Sequence, residues 1–453
     1  MRCPRRPLSS ALAGSALLAG SALLAAVLAL APAARAEESG GDDRLGRLEE
    51  LVRRQSEDMD RLRGEFDAYK RANPEGARFT DDEIRTRVDA YLAASSGATV
   101  DVASDAGGGL GIRWGGYAQM IFAAPSNENS HFDLYRLVLK GDAAVTECIA
   151  LEFEIEFEHG GVTDEVPGEI AIEQAEFSFH LSDAFTPLVG GILIPFGRYN
   201  LHHDDPLNDL SVRPFTARYL MPTGYCQPGI GAEGAAPFGC GHAVQYKVAL
   251  TNGYKDAFNA EEGVRDARPP WDADTNEAKQ VTGRVAATWS VPGLSYLETG
   301  LSGIWTRFDA HDRNDLTGFG ADLLVRRGAF ELSAEYLRQD YERRNADDPP
   351  DAVRGQSAWY VQGAYHFFPE WFCGTNGCLK TDTSLFTLVA RYEEQDLDDR
   401  VRGATFLDDL HALTVGLNYR LTERTVFRVD YAWFFAATEG DETQLTISFS
   451  TFF

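Results

Sequence analysis

From about residue 112 the chain alternates between apolar and polar side chains. The clearest stretch runs from Ile149 to Glu158. One face carries Ile149, Leu151, Phe153, Ile155 and Phe157, and the other carries Glu152, Glu154, Glu156 and Glu158. A period of two is that of an extended strand with two unlike faces. The last ten residues repeat the pattern, with Leu445, Ile447, Phe449, Thr451 and Phe453 opposite Thr446, Ser448 and Ser450. The alternation predicts sixteen strands, near 112–123, 131–142, 147–158, 169–181, 185–194, 225–236, 241–252, 278–290, 294–308, 315–327, 329–341, 356–367, 382–394, 408–420, 424–436 and 442–453. A soluble sheet can show the same alternation, but its strands are usually shorter. The expected fold is all-β: a sixteen-stranded antiparallel transmembrane β-barrel over 112–453, in which every backbone group is paired.

The connections alternate in length. Short turns such as Val291-Pro292-Gly293 and Arg327-Gly328 alternate with long acidic loops such as 253–277, 342–355 and 395–407. That asymmetry is expected of short periplasmic turns and long outer loops. The Gly-rich strand 225–236 keeps the two kinds of connection on opposite sides. It also separates Cys226 from Cys240 by about 30 Å, too far for a disulfide. Its Gly229 to Gly234 run matches G-x-G-x-x-G, but no helix follows, so it reads as a small-residue strand that approaches the inward loop closely rather than a dinucleotide site.

The N-terminal region differs in period. Arg2, Arg5 and Arg6 precede an apolar run from Ala11 to Ala31 that ends in Ala34-Arg35-Ala36, so residues 1–36 read as a signal peptide. An uncleaved anchor is the alternative. Residues 37–93 form a helical segment. Leu45, Leu48, Val52, Gln55, Met59, Leu62, Phe66 and Tyr69 follow a heptad, the pattern of a coiled coil; a single amphipathic helix is the alternative. Residues 94–111 are rich in Gly, Ser, Ala and Asp and read as a flexible linker. An even strand count puts the coiled coil in the periplasm.

Charge narrows the function. The chain carries a formal charge of −27, and losing the four arginines of the signal peptide takes it to −31. A polyanion needs a basic surface, so nucleic acid is not an expected partner. Export permits disulfides. Cys373 and Cys378 flank a Gly-Thr-Asn-Gly turn and are expected to pair; a zinc pair is the weaker reading.

The longest connection, about 195–224, begins Pro195-Phe196-Gly197-Arg198 and contains His202-His203-Asp204-Asp205. With the Tyr246 to Gly253 strand end, it makes the chain resemble the phosphate-selective porin O and P family, over residues 112–453. The terminal Phe453 resembles the closing residue of bacterial outer-membrane proteins and is the expected assembly signal. The resemblance implies a trimeric barrel, in the outer membrane of a Gram-negative bacterium, with the long loop folded inward. The expected partners are outer-membrane lipids and lipopolysaccharide, the barrel-assembly machinery, further copies of the chain, and small polar solutes or ions.

Phosphate selectivity in that family depends on a basic pore. Strand parity instead gives a mixed lumen, with Arg136, Lys140, Lys247, Arg284, Arg326, Arg391, Arg420 and Arg428 against Glu152, Glu154, Glu156, Glu158, Glu176, Asp322, Glu331, Glu335, Glu393 and Asp430. Arg136 and Lys140 lie beside the glutamate strand and are expected to pair across it. The expected constriction comprises Arg198, His202, His203, Asp204, Asp205, Arg213 and Arg218 with Arg136, Lys140, Glu152, Glu154 and Glu156. Four adjacent loop residues cannot all point at one centre, so no catalytic residue, metal or cofactor is expected. Aromatics near strand ends, among them Trp114, Tyr117, Trp289, Tyr365, Tyr431 and Phe435, suit interfacial girdles. The reading is an outer-membrane pore for passive diffusion of small polar solutes and ions. The alternatives are an oxyanion channel, a barrel-borne hydrolase and an envelope tether.

Overall fold

Sixteen antiparallel strands pair in chain order, and the last pairs with the first to close the barrel. The computed structural model describes residues 112–453 except 163–166, 240, 346–347, 350–351, 370–379, 382, 402 and 439. The signal peptide, the coiled coil, the linker and the Cys373–Cys378 pair lie outside the described residues.

The first eight strands are β1 (Ile112–Pro125), β2 (His131–Ala144), β3 (Ile149–Val162), β4 (Pro167–Phe179), β5 (Thr186–Leu193), β6 (Cys226–Phe238), β7 (His242–Thr251) and β8 (Gln280–Thr288). The second eight are β9 (Tyr296–Arg307), β10 (Asp315–Arg327), β11 (Phe330–Tyr341), β12 (Gly355–Phe367), β13 (Leu385–Asp396), β14 (Leu410–Thr422), β15 (Thr425–Phe435) and β16 (Glu442–Phe452). The ends match the alternation to within four residues, the largest difference being at the end of β3.

The two faces of each strand separate as the pattern requires. Phe132, Leu301, Leu388, Ile170 and Ile447 are exposed on the outside. Thr446, Ser448 and Ser450 are buried inside on β16. Closure leaves no unpaired strand edge, which is what lets a sheet sit in hydrocarbon. The β1–β16 seam runs from Tyr117 opposite Phe452 to Pro125 opposite Gln444.

The small-residue strand β6 is real, and its glycines allow close approach. A side chain at Gly234 would start 2.2 Å from the Ala184 carbonyl oxygen, and one at Gly229 the same distance from that of Leu250. The approach is thus to neighbouring backbone, not to the inward loop as expected. Cys226 is a buried free thiol at one end of β6. A second departure concerns Tyr117. It is fully buried inside, not in an outer girdle, because it lies an odd number of residues from the outward Trp114. Trp114, Trp289, Tyr365, Tyr431 and Phe435 do face outward.

Candidate functional site

The connection from β5 to β6 does not stay outside. It carries three short helical turns, at Tyr199–Leu201, Asp205–Leu207 and Thr216–Leu220, and lies against the inner wall. Asn200 closes its neck. The buried side-chain amide donates to the carbonyls of both Ile194 and Tyr225, each at 3.0 Å, so the two ends of the loop are clipped together.

Wall charges fasten the loop through its backbone. Glu335 on β11 accepts from the amides of Arg198 (2.5 Å) and Tyr199 (3.0 Å). Glu393 on β13 accepts from the amide of Phe215 at 2.8 Å, and Asp430 on β15 from that of Ser211 at 2.6 Å. Arg420 on β14 donates to the Pro206 carbonyl at 2.7 Å and to Asp209 at 3.0 Å. Arg391 donates to the Val212 carbonyl at 3.0 Å. Arg428 pairs with Asp205 and also donates to the carbonyls of Asn208 and Leu210. Charge-assisted bonds of this kind are about twice as strong as neutral ones.

The opposite wall holds the other end of the charge pattern. Arg136 on β2 pairs with Glu156 at 3.3 Å and Glu158 at 3.1 Å. Lys140 pairs with Glu154 at 3.1 Å and reaches Asp204 of the loop at 2.7 Å. These are the cross-strand pairs the sequence predicts, set by the register of Arg136 with Glu158 and Lys140 with Glu154.

The four polar residues 202–205 diverge. His202 is exposed to the lumen. His203 is buried beside Glu173 of β4 at 3.6 Å. Burial alone would disfavour a charged ring, but the Glu173 carboxylate outweighs it and raises the His203 pKa to about 9. Asp204 turns to Lys140 and Asp205 to Arg428. Arg198 lies 3.5 Å from Glu298 on β9, which also pairs with Arg284 at 2.9 Å. Arg213 and Arg218 line the cavity between the loop and the long connections. Glu152 lines the cavity on the short-turn side.

Several wall acids escape the sequence reading, Asp133, Glu169, Glu173, Glu298 and Glu442 among them. Glu298 sits on β9 among inward residues, where strand alternation alone places it. Glu173 is hidden by a β-bulge. The β3–β4 register passes from Glu154–Gln174 directly to Ile155–Ile172, which leaves Glu173 as an extra residue turned inward.

A closed sixteen-stranded barrel, polar within and narrowed by its own loop, is a transmembrane pore of the porin class. The chain belongs to the phosphate-selective porin O and P family, whose model matches residues 107–446. It is accordingly an outer-membrane channel of a Gram-negative bacterium. An uncharacterized protein of Aquifex aeolicus (strain VF5) is 34% identical over 163 residues, 35% of this chain and 35% of that relative, so the match spans about a third of the relative's length. Among solved structures, Salmonella typhi OmpF, in complex with daunomycin, is 10% identical over 76% of this chain and 98% of that one, with a TM-score of 0.50, a likeness of fold. The outer membrane channel DcaP of Acinetobacter baumannii is 12% identical over 77% of this chain and 99% of that one, with a TM-score of 0.47.

Proposed function

We propose that this channel passes small polar solutes and ions by passive diffusion with weak selectivity, neutral to mildly cation-preferring. The charge around the water on either side of the loop carries this reading. The cavity of about 580 Å³ between loop and long connections is lined by nine carboxylates and five arginines. The cavity of about 680 Å³ on the short-turn side is lined by four carboxylates and four lysine or arginine side chains, with His202 and His366 beside them. An acidic mouth above a balanced interior enriches cations modestly at low salt, within a Debye length of about 10 Å at 0.1 M.

An oxyanion channel is the second reading, favoured by Arg198, Arg213 and Arg218 on the inward loop. Arg198 already faces Glu298, which weakens that case. Reversal potentials in a planar bilayer under a salt gradient separate the two. The expected value is near zero or of cation sign. Strong anion selectivity, with chloride current blocked by low phosphate, would overturn the reading in favour of the oxyanion channel.

The assembled form we propose is a homotrimer in lipid and lipopolysaccharide, inserted by the barrel-assembly machinery through a signal ending in Phe453. The short turns and the coiled coil of 37–93 face the periplasm after removal of residues 1–36.

A further inference from the structure

Where the inward loop meets β3 and β4, three buried side chains converge. Glu154, Glu173 and His203 each offer one donor atom, all within 4.8 Å of one another. Among the described residues, both oxygens of Glu173, Oε1 of Glu154 and Nε2 of His203 lack a hydrogen-bond partner. Buried polar atoms are rarely left so, because each costs desolvation with no bond in return.

The imidazole is already oriented. His203 Nδ1 lies 2.8 Å from the Asn200 carbonyl oxygen, which can only accept, so Nδ1 carries the proton. Nε2 then points at Glu173, 3.6 Å away, too far for a hydrogen bond, and a metal ion bound there would displace the proton that the carboxylate favours on it. A backbone carbonyl fixing one ring nitrogen and leaving the other as donor is the usual support of a metal-binding histidine.

Charge points the same way. Among the described residues, Glu154, Glu156, Glu158, Glu173 and Asp204 crowd around two permanent cations, Arg136 and Lys140. Lys140 takes Glu154 Oε2, which leaves the unpartnered Oε1 for another ligand. The pairs these two cations make are with Glu154, Glu156, Glu158 and Asp204, and the basic group beside Glu173 is His203. The loop exit roofs the cluster: Gly224, at φ +77°, comes so close that a Cβ would lie 2.1 Å from Glu173 Oε1.

We propose that Glu154, Glu173 and His203 bind one divalent transition-metal ion of the zinc type, which cross-ties the inward loop to the barrel wall. One imidazole nitrogen with two carboxylates is a borderline donor set, and three protein ligands leave a fourth position for water. Zinc bonds of about 2.1 Å put tetrahedral donors about 3.4 Å apart, so side-chain rotations of roughly an ångström close the set. The inference does not depend on which solute the channel passes.

The test uses full-length protein folded in detergent and stripped with a chelator. Equilibrium dialysis against Zn²⁺ should give about one ion per chain. Glu173→Gln and His203→Ala should each weaken that binding about a hundredfold, while Asp183→Asn, on an exposed short turn, should leave it unchanged. Circular dichroism and heat-shifted gel migration check that each variant is folded. Should the Glu173 variant not fold, Glu154→Gln on the adjacent strand and the ligand-field spectrum of Co²⁺-loaded wild type serve instead. A four- or five-coordinate cobalt spectrum supports the site. No uptake by folded wild type would overturn it and leave the cluster as a His203–Glu173 ion pair. Uptake that survives both substitutions would assign the ion to the acidic outer loops and overturn it equally.

Discussion

Arg428→Ala should loosen the inward loop without unfolding the barrel. Arg428 is completely buried on β15, and Asp205, its partner, is nearly so. The guanidinium also donates to the carbonyls of Asp205 (3.3 Å), Asn208 (3.3 Å) and Leu210 (3.1 Å). Removing one partner of a buried pair costs about 3–5 kcal/mol, because the other is left buried and uncompensated. The lower end applies here, since lumen water can reach the vacated space. About 3 kcal/mol is roughly a hundredfold in the equilibrium between docked and released loop. The other ties, from Arg420, Arg391, Glu335 and Glu393, keep the release partial. Single-channel recordings should therefore show frequent excursions to a higher conductance. Arg428→Ala with Asp205→Ala should be quieter than Arg428→Ala alone, because no buried charge is stranded. Records of Arg428→Ala that match wild type in level and noise would refute the reasoning.

Glu158→Gln should move the reversal potential toward anions, since it removes a carboxylate from the acidic mouth and leaves Arg136 with Glu156 alone; screening should keep the change in permeability ratio below about twofold at 0.1 M salt. Gly234→Val should lower the yield of folded barrel, by about 1–3 kcal/mol of overpacking or more, because its Cβ would meet the Ala184 carbonyl oxygen at 2.2 Å; heat-shifted gel migration reads this. Deleting Phe453 should cut the amount of chain reaching the outer membrane, measured by fractionation. The isolated 42–73 segment should be helical and self-associate, and Leu48→Glu should abolish this in sedimentation experiments.

The strands were legible because the barrel makes each residue choose between lipid and water, and that choice recurs every second position. The loop was legible from its length alone. Its inward fold came from the family resemblance, but its fastening points were not legible, since its partners lie up to 237 residues away, as Ser211 to Ser448 shows. Glu173 was illegible for a local reason. One bulged residue reverses the parity between Ala171 and Glu176, and no residue type in Glu169 to Phe177 announces it. Tyr117 misled in the other way. Its nearness to a strand end suggested a membrane interface, but its parity turns it inward, near Lys140, whose Nζ lies 5.8 Å from the ring centre.

Sorting lumen residues by sign overstates the field that a solute meets. Arg391, Arg420 and Arg428 count as three positive charges in the pore, yet each is spent on loop carbonyls and is almost fully buried. Glu335, Glu393 and Asp430 count as three negative charges, yet each accepts from a loop amide. Both signs are needed because a backbone presents both donors and acceptors, and a loop crossing a wide lumen has no neighbouring strand to satisfy them. The wall charges thus substitute for the missing sheet. That use requires nearly equal numbers of acids and bases on the fastening wall. An oxyanion filter would require arginines in excess of what the loop backbone consumes, and the balanced lining of the short-turn cavity offers no such excess. On the proposed reading, selectivity is left to the mouth, where acids outnumber arginines and salt can screen them.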